Sequence, residues 1–381
     1  MSLLKKIILL IIFLILFSIL FKLIKKRTEL LHIKRKDNPM VEGLSCVSSI
    51  TNNEVKKIMD SNLVGEITDS VSSKGYYKGN YTIDKFHIKA SYNSGFNGKD
   101  ISKDMVLYTL YRGYRYLDFE VYYDTVSGEN SEAKKAVVSY SDNFTTANVN
   151  VPLKDILDVI STNAFSNVSN KNDPLFIQIR PIYTLATSTD SEETKNKKIG
   201  ENTQLNTQIE SALDSITESY KYKGRFTSTT PIKNILKKTI IVMDKVSNKY
   251  SNLKSDRLIS MINIDPTEMT MCNAESKLDN CNKNNNTLIQ VTPNDSTNQT
   301  LNQNPHALNI ISKTGCNICP MMVWMSSYIG GYSSAGLSQL GEYETLFLKT
   351  GGSAFVLLSE VRTYSTLNDQ SKVNSATLSY P

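Results

Sequence analysis

Short apolar runs alternate with amphipathic segments along most of the chain, from about Asp84 onward. The runs are rich in β-branched and aromatic residues and have the length of strands. They predict eight strands, at Lys85–Ala90, Tyr116–Tyr123, Ala136–Ser141, Leu175–Arg180, Thr239–Asp244, Leu258–Ile264, Ile318–Trp324 and Ala354–Leu358. Apolar positions at helical spacing predict the helices between them, at Lys103–Arg112, Leu153–Phe165, Thr203–Tyr220 and Gln339–Lys349.

This alternation is typical of an α/β fold in which helices follow strands. Because it extends over roughly 290 residues, it predicts a closed (β/α)8 barrel of the TIM type. Two polar stretches, Thr187–Asn202 and Cys272–Pro305, carry too little apolar surface to order themselves and are predicted to be long loops. The predicted organisation is an anchor over 1–36, a partly helical linker over 37–79, the barrel over 80–365 with polar loops at 187–202 and 272–305, and a tail over 366–381.

The predicted anchor is an apolar run from Ile7 to Phe21 that continues past Lys22 through Leu23 and Ile24. Its 18 residues are slightly fewer than the roughly 20 that a bilayer-spanning helix needs, and the long stem of Lys22 lets its ammonium group reach the headgroups. A cleaved signal peptide would end in small residues, which do not follow this run. The run therefore predicts an uncleaved transmembrane helix in a single-pass membrane protein.

Positive charge is concentrated beside this run. Residues 1–36 hold nine cations and one acidic residue, so the rest of the chain is net negative by about two although the whole carries +6. The flank after the run is the more positive one, which would place the body on the cytosolic side. We see no basic stripe interleaved with aromatic residues in the body, and we predict no nucleic-acid partner.

The five cysteines do not form a complete disulfide framework, because their number is odd. Cys316 and Cys319 have C-x-x-C spacing without a second pair of ligands, and the apolar run that follows predicts buried strand cysteines. Cys272 and Cys281 flank a polar loop and would close a small ring only in an oxidising compartment.

Four sequence blocks together resemble the motifs of one enzyme family. They are Ile88–Ser94 (IKASYNS), Gly113–Glu120 (GYRYLDFE), Ala136–Asp142 (AVVSYSD) and Asp173–Arg180 (DPLFIQIR). In order and spacing they are similar to the catalytic X-domain barrel of phosphatidylinositol-specific phospholipase C, and the chain resembles the divergent forms that large DNA viruses encode. Weaker matches lie at Ile235–Lys245, Gly315–Met322 and Phe347–Phe355.

The resemblance implies catalytic histidines at two positions where this chain has Tyr92 and Asp142. Phosphodiester cleavage needs an acid and a base with pKa values near working pH, a role that histidine fills. At their ordinary pKa values tyrosine is a poor acid and aspartate a weak base. The three histidines of the chain, His32, His87 and His306, fall at neither position. The resemblance therefore predicts a catalytically degenerate barrel.

The resemblance also implies a calcium site on Asn93, Asp118, Glu120 and a fourth acidic residue, but the fourth position is Arg180. Two carboxylates and a guanidinium form a nearly neutral cluster, which binds a divalent cation poorly. We therefore expect an internal ion pair of Arg180 with Asp118 or Glu120. We therefore expect no cofactor. If the altered site still holds a metal ion, that ion is calcium.

Anion binding is a second use of the same region. Arg180 could hold a phosphate group bidentately, with Lys245 and Arg115 as further phosphate-binding residues. Each has a structural alternative, since Arg115 could brace the barrel bottom and Lys245 could be a solvated strand end.

Together these features predict a membrane-anchored, catalytically degenerate phospholipase C-like barrel. It would be a structural or binding component of a viral or host-derived membrane, such as that of a virion, with an anionic phospholipid headgroup or a viral protein as partner. One alternative is an active phosphodiesterase with Asp142 as base, Tyr92 as acid and Arg180 as the stabiliser of charge. Another is a tethered scaffold without any ligand, which a mouth filled by ion pairs would favour.

Overall fold

The structure is a computed structural model that describes residues 51–53, 55–56, 69–76, 78–129, 133–141, 146–244, 254–273, 287–292, 311–312, 314–323 and 334–366. All of them belong to one of the two units into which the chain divides, Ser49–Pro381. The predicted anchor, most of the predicted linker and the predicted tail beyond residue 366 lie outside them. Within the described ranges, no helix has both the length and the apolar character that crossing a bilayer requires.

Nine strands and six helices make up most of the described body. The strands are β1 Phe86–Ile88, β2 Tyr116–Thr125, β3 Lys134–Ser139, β4 Val151–Pro152, β5 Leu175–Pro181, β6 Thr239–Val242, β7 Thr270–Asn273, β8 Ile289–Thr292 and β9 Phe355–Leu357. The helices are α1 Lys103–Tyr111, α2 Leu153–Asn163, α3 Glu192–Leu213, α4 Asp256–Met261, α5 Ser334–Lys349 and α6 over 358–366.

Parallel pairing links seven segments of the chain into one series. β2 pairs with β5 and β5 with β6. Isolated parallel bridges join Ala90 after β1 to Tyr116 in β2, β6 to Ile264, and Ile318 to both β1 and β8. The series therefore runs from β8 through Ile318, β1, β2, β5 and β6 to Ile264, which is the strand arrangement of a parallel α/β barrel.

The core shows that this series curves round on itself. All seven segments contribute side chains to one buried cluster, which includes Ile88, Ala90, Tyr116, Phe176, Ile240, Val242, Ile264, Leu288 and Ile318. Above it, the Tyr116 hydroxyl lies 2.9 Å from Oε1 of Gln178 in β5 and 2.9 Å from Oε1 of Gln290 in β8. Gln290 Nε2 also donates to Gln178 Oε1 at 2.8 Å. Because β5 and β8 stand far apart in the series, these contacts cross the interior, as a TIM-type barrel requires.

The segment over 221–238 closes the base of the barrel, at the amino ends of the parallel strands. Its side chains Phe226, Ile232 and Ile235 are buried in the same core cluster. Leu175 N, at the start of β5, donates to the carbonyl oxygen of Lys238 in this segment. Tyr222 N of the segment donates to the carbonyl oxygen of Thr239 at the start of β6. This plug separates the interior from solvent at the base.

A buried charge cluster fastens α5 to the outer wall of the barrel. Lys89, which follows β1, donates from Nζ to the carbonyl oxygen of Arg112 at 2.6 Å and lies 3.6 Å from Oε1 of Glu344 in α5. Arg112 pairs with the same carboxylate, and the Tyr114 hydroxyl donates to it at 3.0 Å. Burial lowers the pKa of Lys89 to about 8 against the opposing effect of Glu344. One carboxylate therefore serves three buried donors.

Most predicted elements exist, but four of the eight predicted barrel strands differ from the prediction. Ile318–Trp324 is described as far as Val323, and there only Ile318 and Met321 form isolated bridges. Leu258–Ile264 is not a strand: its first half belongs to α4, which begins where Ser255 accepts a hydrogen bond from Leu258 N, and only Ile264 bridges β6. β3 and β9 form near their predicted positions. They are antiparallel to β2 and β1, however, and so are not members of the parallel series.

Both predicted polar loops contain regular structure. β8 lies inside the predicted loop Cys272–Pro305, and α3 begins at Glu192 within Thr187–Asn202 and ends at Leu213, before the predicted end of the helix at Tyr220. The buried face of α3 carries asparagines that hydrogen-bond the chain after β5, Asn202 to the backbone of Thr184 and Asn206 to the Tyr183 hydroxyl. A helix whose inner face is partly polar does not show the apolar spacing on which the prediction relied.

The prediction that Cys316 and Cys319 are buried is confirmed, and both are free thiols. Cys272 is disulfide-bonded, the state that an oxidising compartment permits.

His87 packs against α5 on the outer wall of the barrel. Its Nδ1 lies 2.8 Å from the carbonyl oxygen of Cys316, and its ring stacks on Phe347 with centroids 5.6 Å apart. Nε2 is buried without a hydrogen-bond partner among the described residues. The imidazole is therefore held neutral, and burial lowers its pKa to about 4.

Replacement of His87 by Phe should weaken the acid sensitivity of folding. The unfolded chain protonates this histidine near pH 6.5 and the folded chain only near 4, so its contribution to stability is present above pH 6.5 and lost as the pH falls through this window. At pH 5 the loss relative to pH 8 is about 2 kcal/mol. Phenylalanine keeps the stacking without the titration. Urea unfolding of both chains at the two pH values measures the difference, and an equal loss in both would contradict this account.

Candidate functional site

The candidate site is the uppermost layer of the barrel interior, at the carboxyl ends of the parallel strands. Side chains alternate between the two faces of a strand, so Asp118 and Glu120 follow the interior residue Tyr116 on the same face of β2. Arg180 follows Gln178 on the inner face of β5. The register pairs Glu120 with Arg180, which brings the carboxylates and the guanidinium to one level at the mouth of the barrel.

Arg180 is the centre of this layer. Its Nε and Nη2 donate to Oδ1 and Oδ2 of Asp118, both at 2.8 Å. Its Nη1 donates to Oε1 of Glu120 at 2.9 Å, and Nη2 donates a second bond to Oδ1 of Asn93 at 3.0 Å. Four of the five N–H groups of the guanidinium are thus used inside the protein. The ion pair expected from the sequence is confirmed, and it involves both carboxylates.

The chain after β1 covers this cluster from one side. The Tyr92 ring lies against the guanidinium, with its centroid 4.6 Å from Cζ of Arg180. Asn93 has the left-handed φ of 44°, a conformation that asparagine tolerates better than most residues, and its backbone N–H donates to Oδ2 of Asp118 at 3.1 Å. Ser94 N donates to Asp118 O at 2.9 Å. These contacts hold Asp118 in place beside Arg180.

The cluster is largely buried, so its charges are only weakly screened by solvent. The side chains of Asp118 and Glu120 are 1% and 7% exposed, and that of Arg180 is 24% exposed. Burial alone would lower the pKa of Arg180, but Asp118, then Tyr92 and Glu120, outweigh it and hold that pKa well above its usual value. The guanidinium is therefore charged at every pH of interest, and one cation stands against two carboxylates.

The residues at the mouth do not fit calcium. Asn93, Asp118 and Glu120 do come together as the resemblance implied, but their oxygens accept hydrogen bonds from the guanidinium that lies among them. A calcium ion needs six to eight oxygen ligands, and here a cation of the protein itself uses those oxygens. Within the described part of the chain, no group of three or more His, Cys, Asp or Glu side chains is arranged to hold a metal.

The same contacts work against a phosphate group. Bidentate binding needs two parallel N–H groups of the guanidinium, and those that face Asp118 are already paired in this way. A phosphate would have to displace one carboxylate while both remain nearby as negative charges. Arg180 is thus arranged to neutralise the mouth rather than to receive an anion.

Of the three other predicted site residues, only Arg115 is among the described residues. Asp142 and Lys245 lie outside them. Arg115 lies at the base, fully buried, where Nη1 donates to Ala164 O at the end of α2 at 2.9 Å and Nη2 donates to Oδ1 of Asn170 at 2.7 Å. These contacts match the bracing role that the sequence left open for Arg115.

Sequence reasoning missed the polar layer directly beneath the site. Tyr116, Gln178 and Gln290 are buried and hydrogen-bonded across the interior. Tyr122 was also missed; its hydroxyl donates to Oε2 of Glu120 at 2.9 Å. The alternation of inward residues would have identified Gln178 and Tyr116, but Gln290 falls in a stretch that was predicted to be a loop.

The comparisons with known proteins rest on structure alone. No family model matches the chain, and no curated protein matches it. Two solved structures similar to it are the PLC21 proteins of S. officinalis and L. pealei, at 13% and 14% identity, each with a TM-score of 0.45. They cover 74% and 73% of this chain, which spans only 38% and 37% of their length.

A bacterial structure is similar over most of its own length. It is a calcium-dependent phosphoinositol-specific phospholipase C from a Gram-negative Pseudomonas sp., with 7% identity, a TM-score of 0.38, and coverage of 73% of this chain and 95% of that one. The similarity to phosphoinositide-specific phospholipase C that the motifs predicted is thus confirmed, whereas the relation to viral proteins stays a prediction. The chemistry of the mouth has to be derived from its own side chains.

Removal of the central cation should destabilise the barrel. Arg180→Met leaves Asp118 and Glu120 buried without a counter-charge, and we expect a loss of about 3–5 kcal/mol in the free energy of unfolding at neutral pH. Adding Asp118→Asn and Glu120→Gln removes the stranded charges, so most of that loss should be regained. Urea unfolding of the single and triple variants measures both effects.

A matched control is Lys154→Met, which breaks the solvent-exposed pair with Asp158 on α2. It should change the free energy of unfolding far less than Arg180→Met does. A single Arg180 variant as stable as the native chain, or a triple variant no better than the single one, would show that the cluster is not a coupled ion group.

Proposed function

We propose that this chain is a membrane-anchored, catalytically degenerate phospholipase C-like barrel that serves as a structural or binding component of a viral or host-derived membrane. The observation that carries the proposal is the mouth of the barrel. There Arg180 donates four hydrogen bonds to Asp118, Glu120 and Asn93. Because its oxygens and its guanidinium are paired with one another, this cluster offers neither the metal site nor the unpaired cation that phosphodiester cleavage would use.

The acid–base groups support the same proposal. Tyr92 is 3% exposed and stands against the guanidinium, where a neighbouring cation and a closed surrounding leave it no route to a leaving group. His87 is on the outer wall beside α5, away from the mouth. Among the described residues, no histidine, the side chain best suited to proton transfer near neutral pH, lies at the carboxyl ends of the strands.

The same cluster favours a scaffold over a headgroup receptor at the mouth. With one guanidinium against two carboxylates, the mouth repels a phosphate that approaches along the barrel axis. Any partner, a viral protein or an anionic lipid, would then bind at another surface. The N-terminal apolar run of the sequence supplies the membrane attachment in this proposal.

The full chain, reconstituted into vesicles that contain phosphatidylinositol, should release no inositol phosphate above protein-free vesicles, with or without added calcium. The reason is the paired state of Arg180, whose N–H groups are then not available to the substrate phosphate. An active bacterial phospholipase C in parallel vesicles shows that the substrate is accessible. Release that is lost in Asp142→Ala would overturn the proposal and support the active phosphodiesterase instead.

A further inference from the structure

The plug at the base of the barrel is unusually basic for this chain. Between Glu218 and Asp244 there is no acidic residue, but there are six cations, Lys221, Lys223, Arg225, Lys233, Lys237 and Lys238. The body as a whole is net negative by about two. The sequence did not predict a basic surface here, because uncharged residues separate the cations.

The fold explains this spacing. Phe226, Ile232 and Ile235 point into the barrel and fill its lower end, so the intervening residues are turned outward. Lys223, Arg225, Lys233 and Lys237 are all exposed. We call these four side chains the base surface. It lies at the opposite end of the barrel from Arg180 and does not belong to the mouth.

Most of this charge is unpaired. Lys223 pairs with Glu218 at 2.5 Å, and Lys233 donates to the Oδ1 atom of Asn80 at 3.0 Å. Among the described residues, Arg225, Lys233 and Lys237 form no ion pair. Three cations without counter-charges on one face create a positive potential that attracts an anionic partner.

The aromatic residues of the plug narrow the choice of partner. Tyr222 and Phe226 alternate with the cations in sequence, as in some nucleic-acid sites. Their rings, however, pack against each other with centroids 6.3 Å apart, and Phe226 packs on Phe176 of β5 at 5.7 Å. They offer no platform for stacked bases. The exposed aromatic nearby is Tyr81, 40% exposed, whose carbonyl accepts from Ile232 N.

We propose that the base surface binds the anionic phospholipid layer of the membrane in which the chain is anchored. Lysine and arginine with an adjacent exposed tyrosine match the charged and interfacial zones of a headgroup layer. The inference rests on the anchor in the proposed function, since tethering makes weak contacts effective by raising the local concentration. Each cation near an anionic surface strengthens such association about fivefold. The barrel would then lie with its base on the membrane and its mouth turned away.

The test uses the full chain in nanodiscs of phosphatidylcholine alone or mixed with phosphatidylserine. Amide hydrogen exchange of 221–238 should slow about fivefold or more in the anionic discs, because several cations contribute about fivefold each, and the protection should vanish at high salt. Replacement of Lys223, Arg225, Lys233 and Lys237 by serine should abolish it. Equal exchange in both lipids, or protection that survives in this variant, would overturn the proposal.

A matched control removes four lysines elsewhere on the surface. These are replaced by serine at Lys134, Lys135, Lys154 and Lys195, each of which has an acidic partner. This variant has the same change in net charge but should keep the protection. Its loss would mean that net charge, rather than the base surface, drives the effect. If an added RNA protects the amides of 221–238 more than anionic discs do, the partner of the base surface is a nucleic acid and not a lipid.

The anchor is tested in the same samples. A chain that stays with phosphatidylcholine discs at high salt has the anchor, whatever the base surface does. If it does not stay, the anchor in the proposed function has failed. In that case the chain should still stay on anionic discs at low salt if the base surface binds them. The serine variant of the base surface should not stay, and this comparison tests the base surface separately from the anchor.

Discussion

The register between β2 and β5 is the constraint on which the upper half of the barrel depends. It aligns Glu120 with Arg180 and Asp118 with Gln178, so that carboxylates and guanidinium meet at one level. A slip of one residue would turn Arg180 to the outer face and leave two carboxylates buried without a cation. The same register places Gln178 beneath, where it bonds Tyr116 and Gln290. Charge pairing and the polar layer thus enforce the same alignment.

The two ends of the barrel have opposite electrostatic character. Among the described residues at the mouth, the charges of Arg180, Asp118 and Glu120 point inward and compensate one another. At the base, the apolar side chains of the plug fill the interior of the barrel, and its cations are exposed to solvent. The described part of the fold therefore has one end where buried charges compensate one another and one end with exposed cations. This division follows from side-chain direction alone and needs no ligand.

The alternation of strands and helices was sufficient to predict the barrel, and the motifs brought Tyr92, Asn93, Asp118, Glu120 and Arg180 to one place. Strand pairing was less accessible, because β3 has the composition of a parallel strand and its antiparallel direction is decided by its short connection to β2. α3 and β8 were obscured by polar side chains whose partners are distant in sequence, such as Asn202 with Thr184. When the buried face of an element carries polar side chains that bond to distant residues, the sequence of that element does not show the apolar periodicity used for prediction.

The shared hydrogen bonds of Arg180 also bear on how such a chain changes over generations. Each acceptor around the guanidinium depends on it, so an acidic residue at this one position would gather three carboxylates in a buried space. A mutation of one carboxylate would leave the arginine undercompensated. A single substitution at any of these charged positions therefore leaves a buried charge without compensation. We expect the members of the cluster to vary together rather than one at a time.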